Sequence, residues 1–386
     1  MAGALLVSAR AGAAAVTEKA PSRPPAARPD AVVRVLVSES QKALAVTVKG
    51  GYVVRVLPSL QVAKKGKGLI AYSVAGTPGG IRLGREEWAA KGLRIEPAEE
   101  RDLFLFKTRF RGSVDILKDA GGSLYAINRL GIEDYLYGVL HHEVSAWWPM
   151  EALKAQAIAA RTYALYQAAV SGRAEYDLKS GTSSQVYGGS TSERYRSKLA
   201  VDQTRGQVLA FQGKLFPAYF HATCAGLTAA ASELWKISLP PLDGGTHCGF
   251  CKISPHYRWQ ARVPLSEIEE KLNQFGRPLG QILDIRVVTQ TPSGRVGSLK
   301  ITGTREAAVI AAKDFRVWIG GDRMRSTAFT MKIVDDVAVF DGRGWGHGVG
   351  LCQWGSFGQA LLGRKHEEIL KFYYRGAEVR DYHELV

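Results

Sequence analysis

One acidic residue stands out for the chemistry it could do. Within residues 134–167, DYLYGVLHHEVSAWWPMEALKAQAIAARTYALYQ, Glu143 follows an apolar run and precedes Trp147 and Trp148. Cleavage of a glycosidic bond requires a carboxyl group that keeps its proton near neutral pH. Apolar and aromatic surroundings raise a carboxyl pKa because they remove water from the charged form. We therefore predict that Glu143 is a general acid; the alternative is a salt-bridge partner or a helix-entry residue.

No second acid in this segment sits in a comparably unusual setting. Most glycosidases need a second carboxylate, as a nucleophile or as a base for water, at a set distance from the acid. The nearest candidates in the sequence are Glu133, Asp134 and Glu151. A mechanism in which a hydroxyl group of the substrate attacks the anomeric carbon removes this requirement, because one residue then serves as acid and as base.

A long alanine-rich helix is predicted from Met150 to Val170. Pro149 suits a first helical turn, and the frequent alanines give high helix propensity and a thin face for close packing. Lys154 and Arg161 lie seven residues apart and therefore share one side of this helix. A buried cation is costly unless it is paired. We predict that both cations bind the acid or a substrate carboxylate; the alternative is a solvated helix face.

A glycine-rich run, GRGWGHGVGLCQWG, occupies residues 342–355. Glycines fill the even positions from 342 to 350, so an extended strand would present bare backbone on one face. The other face would offer Trp345, His347 and Gln353, whose rings and amide suit sugar rings and hydroxyl groups. The alternative is a glycine face packed on the alanine-rich helix, with a structural histidine. No GK[ST] follows, which argues against nucleotide binding.

Three of the four cysteines fall in one region, in the runs HATC (residues 221–224) and HCGFC (residues 247–251). An H-x2-C pair followed by C-x2-C is tetrahedral zinc spacing. A structural zinc ion is predicted, with the ligands His221, Cys224, Cys248 and Cys251. His247 is the alternative fourth ligand. A disulfide is the competing interpretation for an exported protein, although three thiols would leave one unpaired.

These motifs, in this order, resemble the SpoIID/LytB family of peptidoglycan lytic transglycosylases. The resemblance covers about residues 101–386. It includes the SSQVYGG run at residues 183–189 and the glycine run, which is similar to the family signature GxGxGHGxGxxQxG. It implies cleavage between MurNAc and GlcNAc by attack of the muramic acid 6-hydroxyl, which leaves a 1,6-anhydro-MurNAc end.

The resemblance also implies roles for particular residues. Glu143 would be the acid and base, Lys154 and Arg161 would belong to the active site, and Gln185 and Tyr187 would line the groove. Some members are expected to bind zinc near the HATC run, where most relatives carry HSTSGG. The cysteine at position 352 departs from the serine or other small residue that relatives often carry there.

The net charge of +15 fits a polyanionic partner, such as nucleic acid, an anionic membrane face or a cell-wall polymer. A diffuse solubilising charge is the alternative. No run approaches the ~20 apolar residues of a membrane span. We therefore expect no transmembrane span. No nucleic-acid-binding motif is present, so we also expect no nucleic-acid partner. Export to the periplasm or cell wall is expected from the location of the substrate.

Strand runs and isolated helices, without regular βαβ alternation, predict an α+β fold. Residues 1–30 would be a disordered leader with a weak export signal, and residues 31–117 a β-rich N-terminal module. Residues 118–386 would form a SpoIID-like catalytic domain, with a Cys/His insert around residues 221–251. A hairpin turning at Gly121-Gly122 is expected. Further expectations are a strand pair at 282–288 and 299–302, and helices at 307–315 and 365–373.

The function predicted from these features is a lytic transglycosylase acting on peptidoglycan strands, in particular peptide-stripped ones. The runner-up is a non-catalytic glycan-binding protein that recruits or activates a cell-wall amidase, as LytB-type members are thought to do. A cysteine hydrolase using Cys352 and His347 is a third hypothesis. Positions five apart in an extended strand lie on opposite faces, which argues against this pair.

Overall fold

A computed structural model describes residues 31–99, 102–173, 175–181 and 184–385. The predicted leader, residues 1–30, lies outside this part of the chain. The described residues form the α+β fold that the sequence predicts, with several sheets and separate helices. No helix within the described ranges combines the length and apolarity that crossing a membrane requires.

The strands and helices follow in chain order. The strands are β1 (Val32–Gln41), β2 (Ala43–Val48), β3 (Tyr52–Leu57), β4 (Val62–Gly66), β5 (Leu69–Thr77), β6 (Gly80–Leu83), β7 (Glu86–Trp88), β8 (Gly92–Pro97), β9 (Leu103–Leu105), β10 (Thr108–Phe110), β11 (Ser113–Lys118), β12 (Leu124–Gly131), β13 (Leu178–Lys179), β14 (Gln207–Phe211), β15 (Lys214–Leu215), β16 (Phe220–His221), β17 (Arg258–Pro264), β18 (Ile282–Gln290), β19 (Val296–Gly303), β20 (Ala307–Ala311), β21 (Phe329–Val334), β22 (Val337–Arg343), β23 (Leu351–Cys352) and β24 (Glu378–Asp381). The helices are α1 (Ile132–Glu143), α2 (Met150–Val170), α3 (Tyr195–Gln203), α4 (Ser232–Trp235), α5 (Leu265–Gln274), α6 (Ala312–Ile319), α7 (Gln353–Leu361) and α8 (His366–Tyr373).

Two sheets build the N-terminal part. One has the strand order β13-β1-β12-β11-β8-β3-β4, and the other has the order β10-β9-β2-β5-β6-β7. The predicted hairpin is confirmed, since β11 and β12 pair antiparallel with Leu117 opposite Tyr125. The module boundary after residue 117 stays a prediction; the sheet itself continues beyond it through β12 and β13.

The helix α2 has the predicted bounds, and its small side chains let it pack against α1, α3, α7 and α8. The segment before it is also helical, so Glu143 is the last residue of α1 and not a helix-entry residue. Gly138 on α1 permits a close approach, because a Cβ there would lie 2.6 Å from the ring of Tyr187. The end of α1 is thereby held against the segment that contains Tyr187.

Residues 258–343 form a separate unit with a hydrophobic core of its own. We call this unit the insert; it is distinct from the Cys/His segment around residues 221–251. The insert contains the sheets β17-β22-β21 and β18-β19-β20, with α5 and α6 packed on them. The strand pair β18–β19 is confirmed. The predicted helix at 307–315 is wrong in its first half, because residues 307–311 pair with β19 as the edge strand β20. Pairing with a neighbouring strand overrides the helix propensity of the alanines here.

The glycine run is not the extended strand that its alternation predicts. β22 ends at Arg343, and the glycines at 344, 346, 348 and 350 have φ values of 77°, 102°, 88° and 70°. Only glycine adopts this left-handed region readily. A Cβ at any of these four glycines would also lie within 2.8 Å of an atom of another segment, so the alternation reflects both backbone conformation and close packing. Between the glycines, Trp345 bridges to Thr223 and Val349 bridges to Ala229. The run therefore folds across β16 as an irregular loop.

A buried ion pair joins α2 to its neighbours. The Arg161 side chain is 0% exposed and donates to both carboxylate oxygens of Glu133, at 2.9 and 2.6 Å. It also donates to the backbone oxygens of Gln207 and Val201, while the Gly206 N–H donates to Glu133 at 3.1 Å. Arg161 is thus satisfied inside the protein, away from solvent. Its predicted contact with Glu143 or substrate is replaced by this pair.

Replacement of Arg161 by Met is expected to destabilise the protein by about 3–5 kcal/mol, because Glu133 would remain buried without a partner. The free energy of unfolding in urea measures this. The double variant Arg161→Met/Glu133→Gln should recover much of the loss. Arg323→Met is the matched control, since its pair with Glu267 is exposed and should contribute less than about 1 kcal/mol. Wild-type stability in Arg161→Met would contradict the assignment.

Candidate active site

A cleft of about 330 Å³ opens where α1, α2, β16 and the glycine run meet. Its lining residues are Glu143, Tyr163, Ser184, Val186, Tyr219, Phe220, His221, Trp235, Gly346 and His347. Among the described residues, Glu143 contributes the one carboxyl group in that lining. A larger depression of about 820 Å³ lies on the insert and holds a different set of residues. The smaller cleft is the candidate active site because it contains the acid.

Glu143 is a half-buried residue, and it contributes to the lining of the cleft. The Val186 N–H donates to its Oε1 at 3.4 Å, and the Gln353 side chain makes a second hydrogen bond to it. Burial raises the pKa of Glu143 to about 7, against the lowering effect of these two hydrogen bonds. Near neutral pH a large fraction of Glu143 therefore carries the proton that a general acid must donate.

The apolar surroundings of Glu143 differ from those expected. Trp147 is 86% exposed, and Trp148 packs against Trp354 and Phe357 with ring centroids 5.1 Å away in each case. Neither tryptophan lines the cleft.

Aromatic residues that the sequence reasoning missed form the walls of the cleft. Tyr219 lies 4.5 Å from Trp235 and 5.9 Å from Tyr163, measured between ring centroids. Trp235 also lies 5.1 Å from the ring of His347. Tyr219 belongs to an irregular segment and Trp235 ends the short helix α4, and no periodic pattern marked either residue. Such faces stack on apolar faces of sugar rings.

His347 lines the cleft, with its ring nitrogens engaged by backbone. Its Nδ1 accepts a hydrogen bond from the Val349 N–H at 3.0 Å, and a second bond joins the ring to the backbone of Phe220. Burial, with the charges of Arg295 and Arg316, lowers the pKa of His347 to about 3. The neutral imidazole thus holds the glycine run on β16. Its role in binding substrate stays a prediction.

Lys154, a predicted binding residue, does not contribute to the cleft lining. Lys154 pairs with Glu151 at 3.1 Å, and Glu151 also accepts hydrogen bonds from the backbone and ring of His366. Burial of Glu151 raises its pKa, but the bonds from His366 and Lys154 outweigh this effect and hold the pKa at about 2. Glu151 is therefore ionised and cannot serve as a second acid.

Gln185 and Tyr187 are buried beneath the cleft and do not contribute to its lining. The Tyr135 hydroxyl donates to Gln185 at 3.0 Å, and the Gln185 amide donates to the Ala160 carbonyl at 3.3 Å. The Tyr187 hydroxyl donates to Asn128 at 2.7 Å. These contacts fix the segment whose Val186 N–H reaches Glu143.

Two predicted residues of the glycine run, Gln353 and Trp345, lie outside the cleft lining, and only Gln353 is shown to contact Glu143. Gln353, the first residue of α7, is buried and directs its amide toward Glu143 and Gln156. Trp345 is half-buried, and its neighbour in the chain, Gly346, belongs to the cleft lining. Its ring lies 4.6 Å from that of His256, measured between centroids. Gln353 is therefore placed to orient the Glu143 carboxyl.

A cluster of four buried cysteines lies behind the cleft. The sulfur atoms of Cys224, Cys248, Cys251 and Cys352 all lie within 4.8 Å of one another, and none forms a disulfide. The fourth member is Cys352, and not the predicted His221 or the alternative His247. β16 pairs with β23 so that His221 lies opposite Cys352. The His221 ring turns to the cleft, where its Nδ1 bonds the Val349 carbonyl at 3.0 Å.

The surroundings of the cluster suit a thiolate-bound metal. The N–H groups of Cys224 and Gly355 donate to the Cys352 sulfur at 3.3 and 3.4 Å. The buried cation Arg295 donates to the Cys224 carbonyl at 2.8 Å. A Cβ at Gly355 would lie 2.7 Å from the Cys248 sulfur, so only glycine fits there. Four sulfur ligands are the donor set that tetrahedral zinc prefers.

The comparisons with known proteins bear on the same regions. A family model described as stage II sporulation protein matches residues 120–211, and a domain of unknown function matches residues 249–350. An uncharacterised protein of Brachyspira hyodysenteriae is 37% identical over 263 residues, 67% of this chain and 69% of that protein. The first match covers α1 and α2, and the second covers the insert.

Two relatives from Bacillus subtilis carry descriptive names. Stage II sporulation protein D is 29% identical over 286 residues, 70% of this chain and 79% of that protein. An amidase enhancer is 27% identical over 295 residues, 64% of this chain but 40% of its own length. The chain belongs to the SpoIID family. Membership of this family is consistent with an enzyme that acts on the cell wall.

Stability should depend on pH through Glu143 in a defined direction. Its pKa is raised on folding, from 4.5 to about 7, so the folded state loses stability as pH rises through that interval. Glu143→Gln removes this loss. We expect the variant to gain about 2 kcal/mol over wild type at pH 8, and much less at pH 4.5, after allowance for partial exposure.

Glu151→Gln is the matched control, and its effect on the free energy of unfolding should have the opposite sign. The pKa of Glu151 is depressed on folding, so its contribution is present above pH 4.5 and is lost as pH falls through about 2. The variant should be less stable than wild type from pH 5 to 8. Urea unfolding at several pH values measures both. A pH-independent difference for Glu143→Gln would show that this carboxyl is not desolvated.

Proposed function

We propose that this protein is a lytic transglycosylase that cleaves peptidoglycan glycan strands between MurNAc and GlcNAc. The observation that carries the proposal is Glu143, a carboxyl whose pKa of about 7 keeps it partly protonated in a cleft without a second carboxylate among the described residues. A hydrolase would need that second group to activate water or to form a covalent intermediate. Similarity to stage II sporulation protein D supports a cell-wall substrate and an exported location.

The proposed reaction uses Glu143 twice. Its carboxyl proton passes to the glycosidic oxygen as the bond from that oxygen to the muramic C1 breaks. The muramic 6-hydroxyl oxygen then bonds to C1, and its proton passes to the Glu143 carboxylate. The products are a free GlcNAc 4-hydroxyl and a 1,6-anhydro-MurNAc end, and Glu143 is protonated again. Gln353 and the Val186 N–H orient the carboxylate between these steps.

The second candidate function is recruitment or activation of a cell-wall amidase without turnover of glycan. The relative named amidase enhancer favours it. Both functions use the aromatic walls of the cleft to hold glycan. They differ in what Glu143 does, since a recruiting protein has no use for a protonated acid.

We further propose that the four cysteines hold a structural zinc ion. The ion would crosslink the start of α7 to the loops that carry the other three cysteines, and it would thereby fix Gln353 beside Glu143. The buried Arg295 would offset the negative charge of four thiolates. Disulfides between these cysteines are the alternative, since the four thiols now form an even number.

Glu143→Gln is expected to lower the rate of glycan cleavage by about 10²–10⁴-fold, because it removes general acid–base catalysis. Mass spectrometry of products from intact and peptide-stripped strands measures this. Anhydro-muramyl ends that disappear in the variant support the transglycosylase. Reducing ends would indicate a hydrolase, and binding without cleavage would favour the recruiting function.

Cleavage by wild type, measured as kcat/KM, should decline as pH rises above about 7, since the acid loses its proton.

Cys352→Ser is expected to lower the bound zinc well below one ion per chain, because a ligand is lost. Elemental analysis of purified protein, with a count of reactive thiols, measures this. His221→Ala is the matched control and should retain the metal, since its side chain lies outside the cluster. Absence of zinc from wild type, with a mass reduced by the hydrogens lost in disulfide formation, would contradict the zinc proposal.

A further inference from the structure

Two arginines on the insert face each other without an acidic partner. Arg258 on β17 lies directly opposite Arg343 on β22, and both are exposed. Among the described residues neither forms an ion pair, and Asp341 on the same face accepts a hydrogen bond from Gln260 at 2.6 Å. Like charges on directly opposed residues of a sheet destabilise it. The stability of the fold therefore does not explain this pair.

The arginine pair lines the 820 Å³ depression on the insert. From Arg343 the chain continues through Gly344 and Trp345 to Gly346, which lines the Glu143 cleft. Three peptide units span at most about 11 Å, so the two concave surfaces are neighbours. Trp345 lies between them along the chain, and the Arg325 guanidinium is 5.1 Å from the centroid of its ring. A polymer leaving the cleft on this side would meet the arginine pair.

We propose that Arg258 and Arg343 form a carboxylate-binding subsite for a glycan strand that extends out of the Glu143 cleft. The identity of the polymer rests on the proposed function, in which each muramic residue freed of its peptide carries a lactyl carboxylate. Guanidinium groups bind carboxylates through paired, charge-assisted hydrogen bonds. Two guanidiniums on adjacent strands lie close enough to share one such group.

The surface fits separated carboxylates on a sugar chain better than a continuous phosphate backbone. Asp341 lies on the same sheet face, one row from the arginine pair, and would repel closely spaced phosphates. Trp345 beside the pair offers an apolar ring for stacking on a sugar. The subsite would therefore select glycan whose muramic carboxylates are free, and the insert would extend the substrate groove.

Binding is measured with the full chain carrying Glu143→Gln, so that the probe stays intact whether or not the protein is an enzyme. The probe is a soluble peptide-stripped glycan strand, labelled for fluorescence anisotropy. A second probe is the same strand with its lactyl carboxylates converted to methylamides. The test variant adds Arg258→Gln and Arg343→Gln. The expected result is about tenfold weaker binding of the free-carboxylate strand, from the loss of two exposed charge contacts, with little change for the amidated strand.

The matched control adds Arg286→Gln and Lys300→Gln instead. These cations are also opposite each other on adjacent strands of the insert, but they lie outside the depression and Arg286 pairs with Asp284. The control removes the same net charge and should bind both strands as the parent does. The test variant should also melt at the same temperature as its parent or above it, because a repulsion has been removed.

Three results would overturn the proposal. One is unchanged affinity of the test variant for the free-carboxylate strand. Another is an equal loss of affinity in the control pair, which would indicate a general charge effect. The third is an equal loss for single-stranded DNA and for glycan, which would indicate a nonspecific polyanion surface. Loss of cleavage activity alone bears on Glu143 and not on this subsite, since every measurement here is of binding.

Discussion

The desolvated carboxyl of Glu143 is the constraint on which the arrangement of the site depends. A carboxylate removed from water is costly unless it is hydrogen-bonded, and the same desolvation is what retains its proton near neutral pH. The protein meets both requirements with two donors of moderate strength, the Val186 N–H and the Gln353 amide. More donors would lower the pKa, and fewer would leave the charged form without support.

Each of those donors is held by a buried network of its own. Val186 is fixed by the hydrogen bonds of its neighbours Gln185 and Tyr187 to the helices and sheet below. Gln353 begins α7 directly after Cys352, whose sulfur accepts backbone hydrogen bonds within the cysteine cluster. Gln185 and Tyr187, which were predicted to line the groove, instead support the segment whose Val186 N–H donates to the Glu143 carboxyl.

The sequence predicted some parts of this site because they depend on local patterns. Pro149 and the alanines define α2, and the position of Glu143 after an apolar run singled it out as the candidate acid. The remaining parts depend on contacts between distant segments. The partner of Arg161 lies 28 residues away on α1, and the fourth cysteine joins the cluster only because β16 pairs with β23. The glycine alternation suits either an extended strand or repeated left-handed turns, and only the packing against β16 decides between them.

The position of the insert in the chain bears on whether this unit could be removed or exchanged. The chain enters it at Arg258 and leaves it at Arg343, which are neighbours on paired strands, so in topology the unit could be exchanged or lost without moving the flanking segments. Arg295 contradicts that independence, because it extends from the insert to the Cys224 carbonyl and contacts the backbone at Gly348. The path of the chain would therefore allow the unit to be removed, but the Arg295 hydrogen bond ties it to the segment that contains Cys224. A chain without the insert would lack the buried cation that the insert places beside the cysteine cluster.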